Sequence, residues 1–276
     1  MKDNLRQYKM QFKEKVKIFN ILFDNYSLEE AVKILTSEGG FVIPINVDLL
    51  IKLQKDYEFY RIVKNADFVL CDSQIIYFFS KLLGRPLKER VAGSDLFPAL
   101  CFYNSQNSSF KVFLLGGDTQ EIADKAKKKI NKKVNRELVI DAYSPPFGFE
   151  KNEEECLKII ERINSSGATV VAVGVGAPKQ EKWIWKYKNM LPNVKLFLAL
   201  GATINMEAGF VKKAPRFISK CGLEWFYRFL QDPQRLGKRY FINDIPFFWL
   251  ALKEVAGIYK NPFDKKIFKD SEGGKK

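Results

Sequence analysis

The 276-residue chain contains no histidine at all. This absence excludes Ser-His-Asp and Cys-His nucleophile systems, and it excludes any metal site built on histidine. The four cysteines, Cys71, Cys101, Cys156 and Cys221, are far apart and include no Cys-x-x-Cys pair. We therefore expect reduced, mostly buried thiols rather than zinc ligands or disulfides.

Long apolar runs are also missing. The first residues are rich in charge and lack the uninterrupted apolar core of a signal peptide. The longest apolar run near the C-terminus, Ile245–Leu252, is far shorter than the roughly 20 residues that a membrane-spanning helix needs. These absences lead us to expect a protein that is soluble or peripheral to a membrane, not integral.

Positive charge is abundant and concentrated. The net charge is +14, and residues 211–240 hold eight Lys or Arg against two acids. A local excess of this kind indicates an anionic partner, which could be nucleic acid, a phosphorylated substrate or an acidic lipid. Large apolar side chains alternate with these cations, which suits a ligand or surface with anionic heads and apolar tails. An amphipathic helix pair with a solvated basic face is the alternative.

The same segment carries a helix boundary. Asp232-Pro233 is typical of an N-cap followed by a proline in the first helical position, so one short helix is expected to end near Gln231 and another to begin. In the second helix Arg235, Lys238 and Arg239 have helical spacing and are expected to share a face.

Short apolar runs alternate with amphipathic ones over residues 15–205, which predicts a doubly wound α/β domain with a mostly parallel, Rossmann-like sheet. From about residue 211 only helical patterns remain, and they are basic and aromatic. We therefore divide the chain into an α/β domain (1–210), a helical appendage (211–267) and a disordered tail (268–276). The predicted strands are 41–46, 67–72, 111–115, 138–141, 168–173 and 194–200, and the predicted helices are 28–37, 48–64, 74–83, 95–104, 119–131, 153–164 and 178–190.

Ligands of open parallel sheets gather beyond the carboxyl ends of the strands. Two glycine turns, Gly116-Gly117 and Gly174-Val-Gly176, lie at such ends and lead into helices whose N-termini can hold a diphosphate. The third glycine of a dinucleotide fingerprint would fall at Lys179, so NAD binding is disfavoured. Tight packing of strand against helix is the simpler explanation for either turn alone.

Asp72 is the candidate general base. It ends a predicted strand, and no histidine competes for the role. Its alternative role is to cap the helix that starts near Gln74.

Several motifs together resemble the WecG/TagA/CpsF family of bacterial glycosyltransferases (glycosyltransferase family twenty-six). They occur in family order across residues 46–240. The motifs are Pro44–Asp48, Ala66–Asp72, Glu89–Leu96, Phe113–Gly117, Gly174–Glu181, Gly201–Gly209, Lys213–Pro215 and Gly222–Tyr240.

The resemblance implies a cytoplasmic enzyme, peripheral on the inner face of the cell membrane, that acts in cell-surface polysaccharide or teichoic acid synthesis. It implies inverting, metal-independent transfer of a sugar from a UDP donor to a polyprenyl-diphosphate-linked sugar, without a cofactor. No Asp-x-Asp motif stands at a strand end, in agreement with a metal-independent reaction. UDP-N-acetylmannosamine is the favoured donor because the best-known members use it, while UDP-glucose and a UDP-uronic acid stay open.

The resemblance also implies site residues. By position, Asp72 matches the catalytic base of the family, and Asn46 and Gln180 match residues of the sugar-nucleotide pocket. The resemblance implies that Arg228, Arg235 and Lys238 bind the acceptor diphosphate. We add the adjacent Arg239 to the acceptor set. The strand-end residues that we add to the donor set are Gly116, Gly117, Gly174, Gly176, Lys179, Glu181 and Asn205.

Three residues depart from the family pattern near this site. Pro44 replaces a common threonine, Ser73 replaces a common glycine, and Asn205 replaces a common aspartate. These departures bear on which sugar is used more than on the reaction class. A nucleic-acid-binding protein and a soluble nucleotide-sugar epimerase are the alternatives from other classes, and a homo-oligomer is possible.

Overall fold

A computed structural model describes residues 14–215, 218, 221, 223–264 and 266–267, with the side chains of residues 235, 239 and 241 left out. The strands in this part are β1 Lys15–Ile18, β2 Ile21–Asp24, β3 Gly40–Ile45, β4 Phe68–Cys71, β5 Val112–Gly116, β6 Val139–Tyr143, β7 Val170–Gly174 and β8 Leu196–Ala199. The α-helices are α1 Leu28–Glu38, α2 Val47–Leu53, α3 Tyr57–Lys64, α4 Gln74–Leu82, α5 Gly93–Tyr103, α6 Gln120–Val134, α7 Glu153–Ser166, α8 Lys179–Tyr187, α9 Thr203–Glu207, α10 Glu224–Gln231, α11 Pro233–Lys238 and α12 Pro246–Val255.

Six strands form one sheet in the order β4-β3-β8-β7-β5-β6, and all five neighbouring pairs are parallel. Strands such as β4 and β8 are buried along their whole length because helices cover both faces of the sheet. One apolar core lies on the face covered by α1, α5, α6 and α9, and a second lies on the face covered by α2, α3, α4, α7 and α8. The predicted doubly wound α/β fold is confirmed.

Two features of the α/β unit differ from the sequence prediction. The single helix predicted over 48–64 is wrong, because the chain breaks between α2 and α3 and Asp56 caps α3 by accepting a hydrogen bond from the Phe59 amide at 3.0 Å. The second is an antiparallel hairpin, β1–β2, which was not predicted. Its turn contains Phe19 with a φ of 53°, a conformation that the burial of the ring in the core holds in place.

The hairpin is tied to the sheet by a buried carboxylate. Asp24 accepts a hydrogen bond from the Val69 amide of β4 at 2.8 Å and pairs with Lys15 at 3.0 Å. The hairpin therefore extends the apolar core next to β4, the strand that Asp72 directly follows.

The segment after the sheet is helical, as predicted. α10 ends at Gln231 and α11 begins at Pro233, and the Leu236 amide donates to the Asp232 carbonyl at 3.0 Å, so the predicted boundary is confirmed. A π-helical turn, Arg239–Asn243, leads to α12. Phe247 of α12 and Phe263 beyond it are buried in the core of the α/β unit, so these helices pack against it.

No helix in the described ranges is long and apolar enough to cross a bilayer. The proposed tail, 268–276, lies outside the described residues. The division of the chain at residue 210 remains a prediction.

Gly116 offers a test of the sheet edge. It pairs with Gly174 across β5 and β7, its φ is 138°, and a Cβ placed on it would lie 2.5 Å from the Gly174 carbonyl oxygen. Since the clashing atom belongs to the backbone, we expect Gly116→Ala to lower the free energy of unfolding by more than about 3 kcal/mol in urea denaturation. Gly84→Ala is the control, because Gly84 also has a positive φ of 67° but nothing within 4 Å, and it should lose about 1 kcal/mol. Equal losses of unfolding free energy in the two variants would show that position 116 requires glycine for its backbone conformation and not for its close approach to Gly174.

Candidate active site

A polar cavity of about 570 Å³ lies at the carboxyl edge of the sheet, where β3, β4, β5, β7 and β8 end. Its position is the one that the topology of an open parallel sheet dictates, and its volume is in the range of small-molecule sites. The cavity brings together nine of the site residues named from the sequence: Asn46, Asp72, Gly117, Gly174, Gly176, Lys179, Gln180, Asn205 and Arg228.

Two residues of the predicted donor set do not line this cavity. Gly116 lies one residue behind the edge, against the backbone of β7. Glu181 is fully buried on α8 and contacts the site through Gln180, whose Nε2 donates to Glu181 Oε1 at 2.8 Å. Any influence of these two residues on a ligand is therefore indirect.

Two buried side-chain amides hold the loops of the cavity in place. Gln180 Oε1 accepts from the Gly201 amide at 3.1 Å, and Asn205 Oδ1 accepts from the Asp118 amide at 3.2 Å. An aspartate at position 205 would accept the same bond. The departure from the family pattern therefore keeps this hydrogen bond, but it replaces the second carboxylate oxygen by an amide nitrogen and removes a negative charge.

A second cavity, of about 340 Å³, lies between the α/β unit and α10–α12. Its wall is largely apolar and aromatic, and a small group of charged side chains lies at the end next to the sheet. The apolar lining includes Ile75, Trp225, Tyr240, Ile245, Phe247 and Phe248.

Asp72 lies where the two cavities meet, and Asn46 and Arg228 line both as well. The helix that follows does not need the Asp72 carboxylate as a cap, because Ser73 Oγ accepts from the Ile76 amide at 3.3 Å. The alternative role considered for Asp72 therefore falls to Ser73.

Burial raises the pKa of the Asp72 carboxyl to about 7. The positive charges of Arg90 and Arg228 lower this pKa, while Glu224 and Asp95 raise it. A carboxyl with a pKa near neutrality is suited to accept a proton from a hydroxyl group.

The basic residues predicted to hold an acceptor diphosphate are placed differently from one another. Arg228 faces both cavities, and its Nε lies 3.4 Å from Glu224 Oε1. Lys238 is exposed and lines neither cavity. The side chains of Arg235 and Arg239 lie outside the described part of the structure.

Sequence reasoning missed two residues of the site. Arg90 lines the apolar cavity next to Asp72, and its place in the motif Glu89–Leu96 was the available signal. Phe147 is fully exposed at the rim of the polar cavity, with Lys179 Nζ 5.0 Å from its ring centre. The Pro-Pro-Phe-Gly turn in which it lies gave no chemical signal.

No group of three or more Cys, Asp and Glu side chains that could hold a metal ion occurs among the described residues. The expectation of metal independence remains a prediction.

The fold and the paired cavities suit a transferase that joins a nucleotide-activated group to an apolar acceptor. The chain belongs to the glycosyl transferase WecG/TagA/CpsF family, whose model matches residues 16–261. It is also 31% identical over 202 residues, 72% of this chain and 74% of the relative, to an N-acetylglucosaminyldiphosphoundecaprenol N-acetyl-beta-D-mannosaminyltransferase of Bacillus spizizenii. The resemblance seen in the motifs is confirmed, and with it the expectation of a glycosyltransferase.

Glu181 generates a prediction about stability. Burial raises its pKa to about 7, against the opposing effects of the Gln180 hydrogen bond and the charge of Lys52, and Oε2 has no hydrogen-bond partner within the described residues. A carboxyl whose pKa is raised on folding stabilises the protein below its unfolded pKa, and this stability is lost as pH rises towards 7. In the parent protein, Glu181 should lower the free energy of unfolding by up to about 3 kcal/mol as the pH rises from 4.5 to 8. In Glu181→Gln this part of the decrease should be absent when the free energy of unfolding is measured in urea.

The control for this measurement is Glu121→Gln on the exposed side of α6, which should keep the pH dependence of the parent protein. A pH dependence in Glu181→Gln equal to that of the parent protein would contradict the raised pKa of Glu181.

Proposed function

We propose that the protein transfers N-acetylmannosamine from its UDP conjugate to a polyprenyl-diphosphate-linked sugar, with inversion at the anomeric carbon. The observation that carries the proposal is the position of Asp72 at the junction of a polar cavity and an apolar cavity. A base placed there lies between two substrates of opposite character. The choice of sugar follows the name of the Bacillus spizizenii relative, and UDP-glucose and a UDP-uronic acid remain the alternative donors.

The polar cavity suits the donor. α8 begins at its wall, and no side chain caps the first turn of this helix, so the positive end of the helix dipole suits an anion there. Lys179 adds a positive charge on the same turn. Phe147 offers an exposed aromatic face beside Lys179, which suits the stacking of a nucleobase at the rim.

The apolar cavity suits the acceptor. Its aromatic wall can contact a polyprenyl chain, and Arg228 at its inner end can hold diphosphate oxygens through two hydrogen bonds. The apolar lining would keep water away from the reacting atoms and so limit hydrolysis of the donor.

In the reaction, the acceptor hydroxyl attacks the anomeric carbon from the side opposite to UDP, and its proton passes to Asp72. The new glycosidic bond forms as the bond between the anomeric carbon and the diphosphate oxygen breaks. The charge that develops on UDP is stabilised by the N-terminus of α8 and by Lys179.

The helices after the sheet suit peripheral attachment to the inner face of the cell membrane. In this segment, exposed apolar side chains cluster on α10 and α12, and Trp249 and Leu252 are 62% and 63% exposed. A membrane surface accommodates such side chains with neighbouring cations near the lipid phosphates. The same surface would deliver a lipid-linked acceptor to the mouth of the apolar cavity.

The transfer reaction is tested with a panel of radiolabelled UDP-sugars and a polyprenyl-diphosphate-N-acetylglucosamine analogue, in the presence of EDTA. Label should move into the lipid product from UDP-N-acetylmannosamine. Asp72→Asn should lower the rate of transfer by about a thousand-fold, because proton transfer by a positioned base contributes about 10²–10⁴-fold. Donor affinity, measured by calorimetry, should change by less than about three-fold.

Asp264→Asn, an exposed position, is the matched control and should transfer sugar at the parent rate. Transfer from none of the donors would refute the proposed reaction, and near-normal turnover of Asp72→Asn would refute the base assignment alone.

Arg228 generates a prediction about the acceptor. Because it reaches both cavities from α10, Arg228→Ala should raise the KM for the lipid acceptor by about ten-fold or more and the KM for the UDP-sugar by less. Arg61→Ala on the exposed side of α3 removes the same charge far from the cavities and should change neither constant. An acceptor KM that stays at the parent value would show that Arg228 does not hold the acceptor.

A further inference from the structure

Five charged side chains form a continuous chain between the α/β unit and α10. Lys213 pairs with Asp95, and Asp95 Oδ2 lies 3.0 Å from Arg90 Nη2. Arg90 Nη1 in turn lies 2.7 Å from Glu224 Oε2, and Glu224 Oε1 lies 3.4 Å from Arg228 Nε. Glu224 is thus the point at which α10 joins this chain.

The centre of the chain is shielded from solvent. The side chains of Arg90 and Glu224 are only 13% and 16% exposed. Charges interact more strongly at such sites than at the surface, because less water screens them. The contact between Arg90 and Glu224 is the step of this chain that joins α10 to the α/β unit, and it lies in this shielded region.

These charges face Asp72 from two sides. Arg90 and Asp95 belong to the α/β unit, and Glu224 and Arg228 belong to α10. Arg90, Glu224 and Arg228 line the apolar cavity together with Asp72, and Asp244 lies in the same lining. In the polar cavity Asp72 shares the lining with Asp48, Lys52, Asp118 and Lys179.

Arg90 by itself would favour the ionised form of Asp72 and so make it a weaker base. Glu224 neutralises Arg90 and adds a negative charge of its own near Asp72. A general base is more effective when its affinity for a proton is matched to the working pH. The carboxylate of Glu224 therefore increases the basicity of Asp72, and it does so from a helix outside the α/β unit.

We propose that Glu224 is a positioning residue through which α10, once it is packed against the α/β unit, sets the strength of Asp72 as a base. This inference rests on the proposed function, in which Asp72 accepts the acceptor proton. While α10 is packed in place, Asp72 is a competent base. Where the contact between Arg90 and Glu224 is broken, Asp72 faces an unneutralised arginine and more water, and its ability to activate a hydroxyl or a water molecule falls.

The test is a carbon-13 NMR titration of the Asp72 carboxyl in the full-length protein, with the signal assigned from its loss in Asp72→Asn. In Glu224→Gln the titration midpoint should move to lower pH by about half a pH unit, because a negative neighbour is lost. In Arg228→Gln it should move to higher pH by a similar amount, because a positive neighbour is lost. Both variants break the contact between Glu224 and Arg228 within α10, so an effect of losing that contact alone would move both midpoints in one direction.

The rate of transfer gives a second readout. The ratio of the rate at pH 6 to the rate at pH 9 should rise about three-fold in Glu224→Gln, as the ionised fraction of Asp72 at pH 6 increases. Glu207→Gln is the matched control, since Glu207 pairs with Lys133 at 2.7 Å and is not among the charges that act on Asp72. In Glu207→Gln, the titration midpoint of Asp72 and the ratio of the rates at pH 6 and pH 9 should equal those of the parent protein.

The outcomes separate the two proposals. Midpoints that shift in the same direction in both variants, or that stay at the parent value in Glu224→Gln, would overturn the role of Glu224. A parent protein that transfers no sugar would refute the proposed reaction instead, while the NMR midpoints would still report whether Glu224 acts on Asp72.

Discussion

The architecture of the site depends on one constraint, which is that parallel strands direct all their carboxyl ends to the same edge of the sheet. Residues as distant in sequence as Asn46, Asp72, Gly174 and Asn205 meet there because each lies at the carboxyl end of a strand or a few residues beyond it. The strands need no polar side chains of their own, since helices cover both faces. Apolar burial therefore builds the frame, and the chemistry lies in the loops and helices that follow the strand ends.

The second organising feature is the placement of charge where little water remains. Asp72 lies between a polar cavity and an apolar one, and burial alone would strongly disfavour its ionised form. The neighbouring arginines favour the ionised form of Asp72, and the neighbouring carboxylates disfavour it. The affinity of Asp72 for a proton is therefore set by the whole group. Because Glu224 and Arg228 belong to α10, the helices after the sheet contribute to this environment as well as to the wall of the apolar cavity.

In the proposed function, these helices allow one enzyme to use a water-soluble donor and a lipid acceptor. Phe247 and Phe263 anchor them in the core, while Trp249 and Leu252 on the outer side remain exposed. The same short segment thus has an inner face that completes the apolar cavity and an outer face that suits a membrane surface. This division accounts for the mixture of cations and aromatic residues that stands out in the sequence.

The sequence by itself determined the alternation of strands and helices, because periodicity reports local burial, and it determined which residues follow the strand ends. Three features were decided only by the tertiary structure. The turn at Phe19 has no local sequence signal, since its positive φ is held by long-range burial of the ring. The capping of α4 by Ser73, which leaves Asp72 for chemistry, depended on atomic distances of the folded chain. The contact between Arg90 and Glu224 joins residues 134 positions apart, and no local pattern encodes a pairing over that separation.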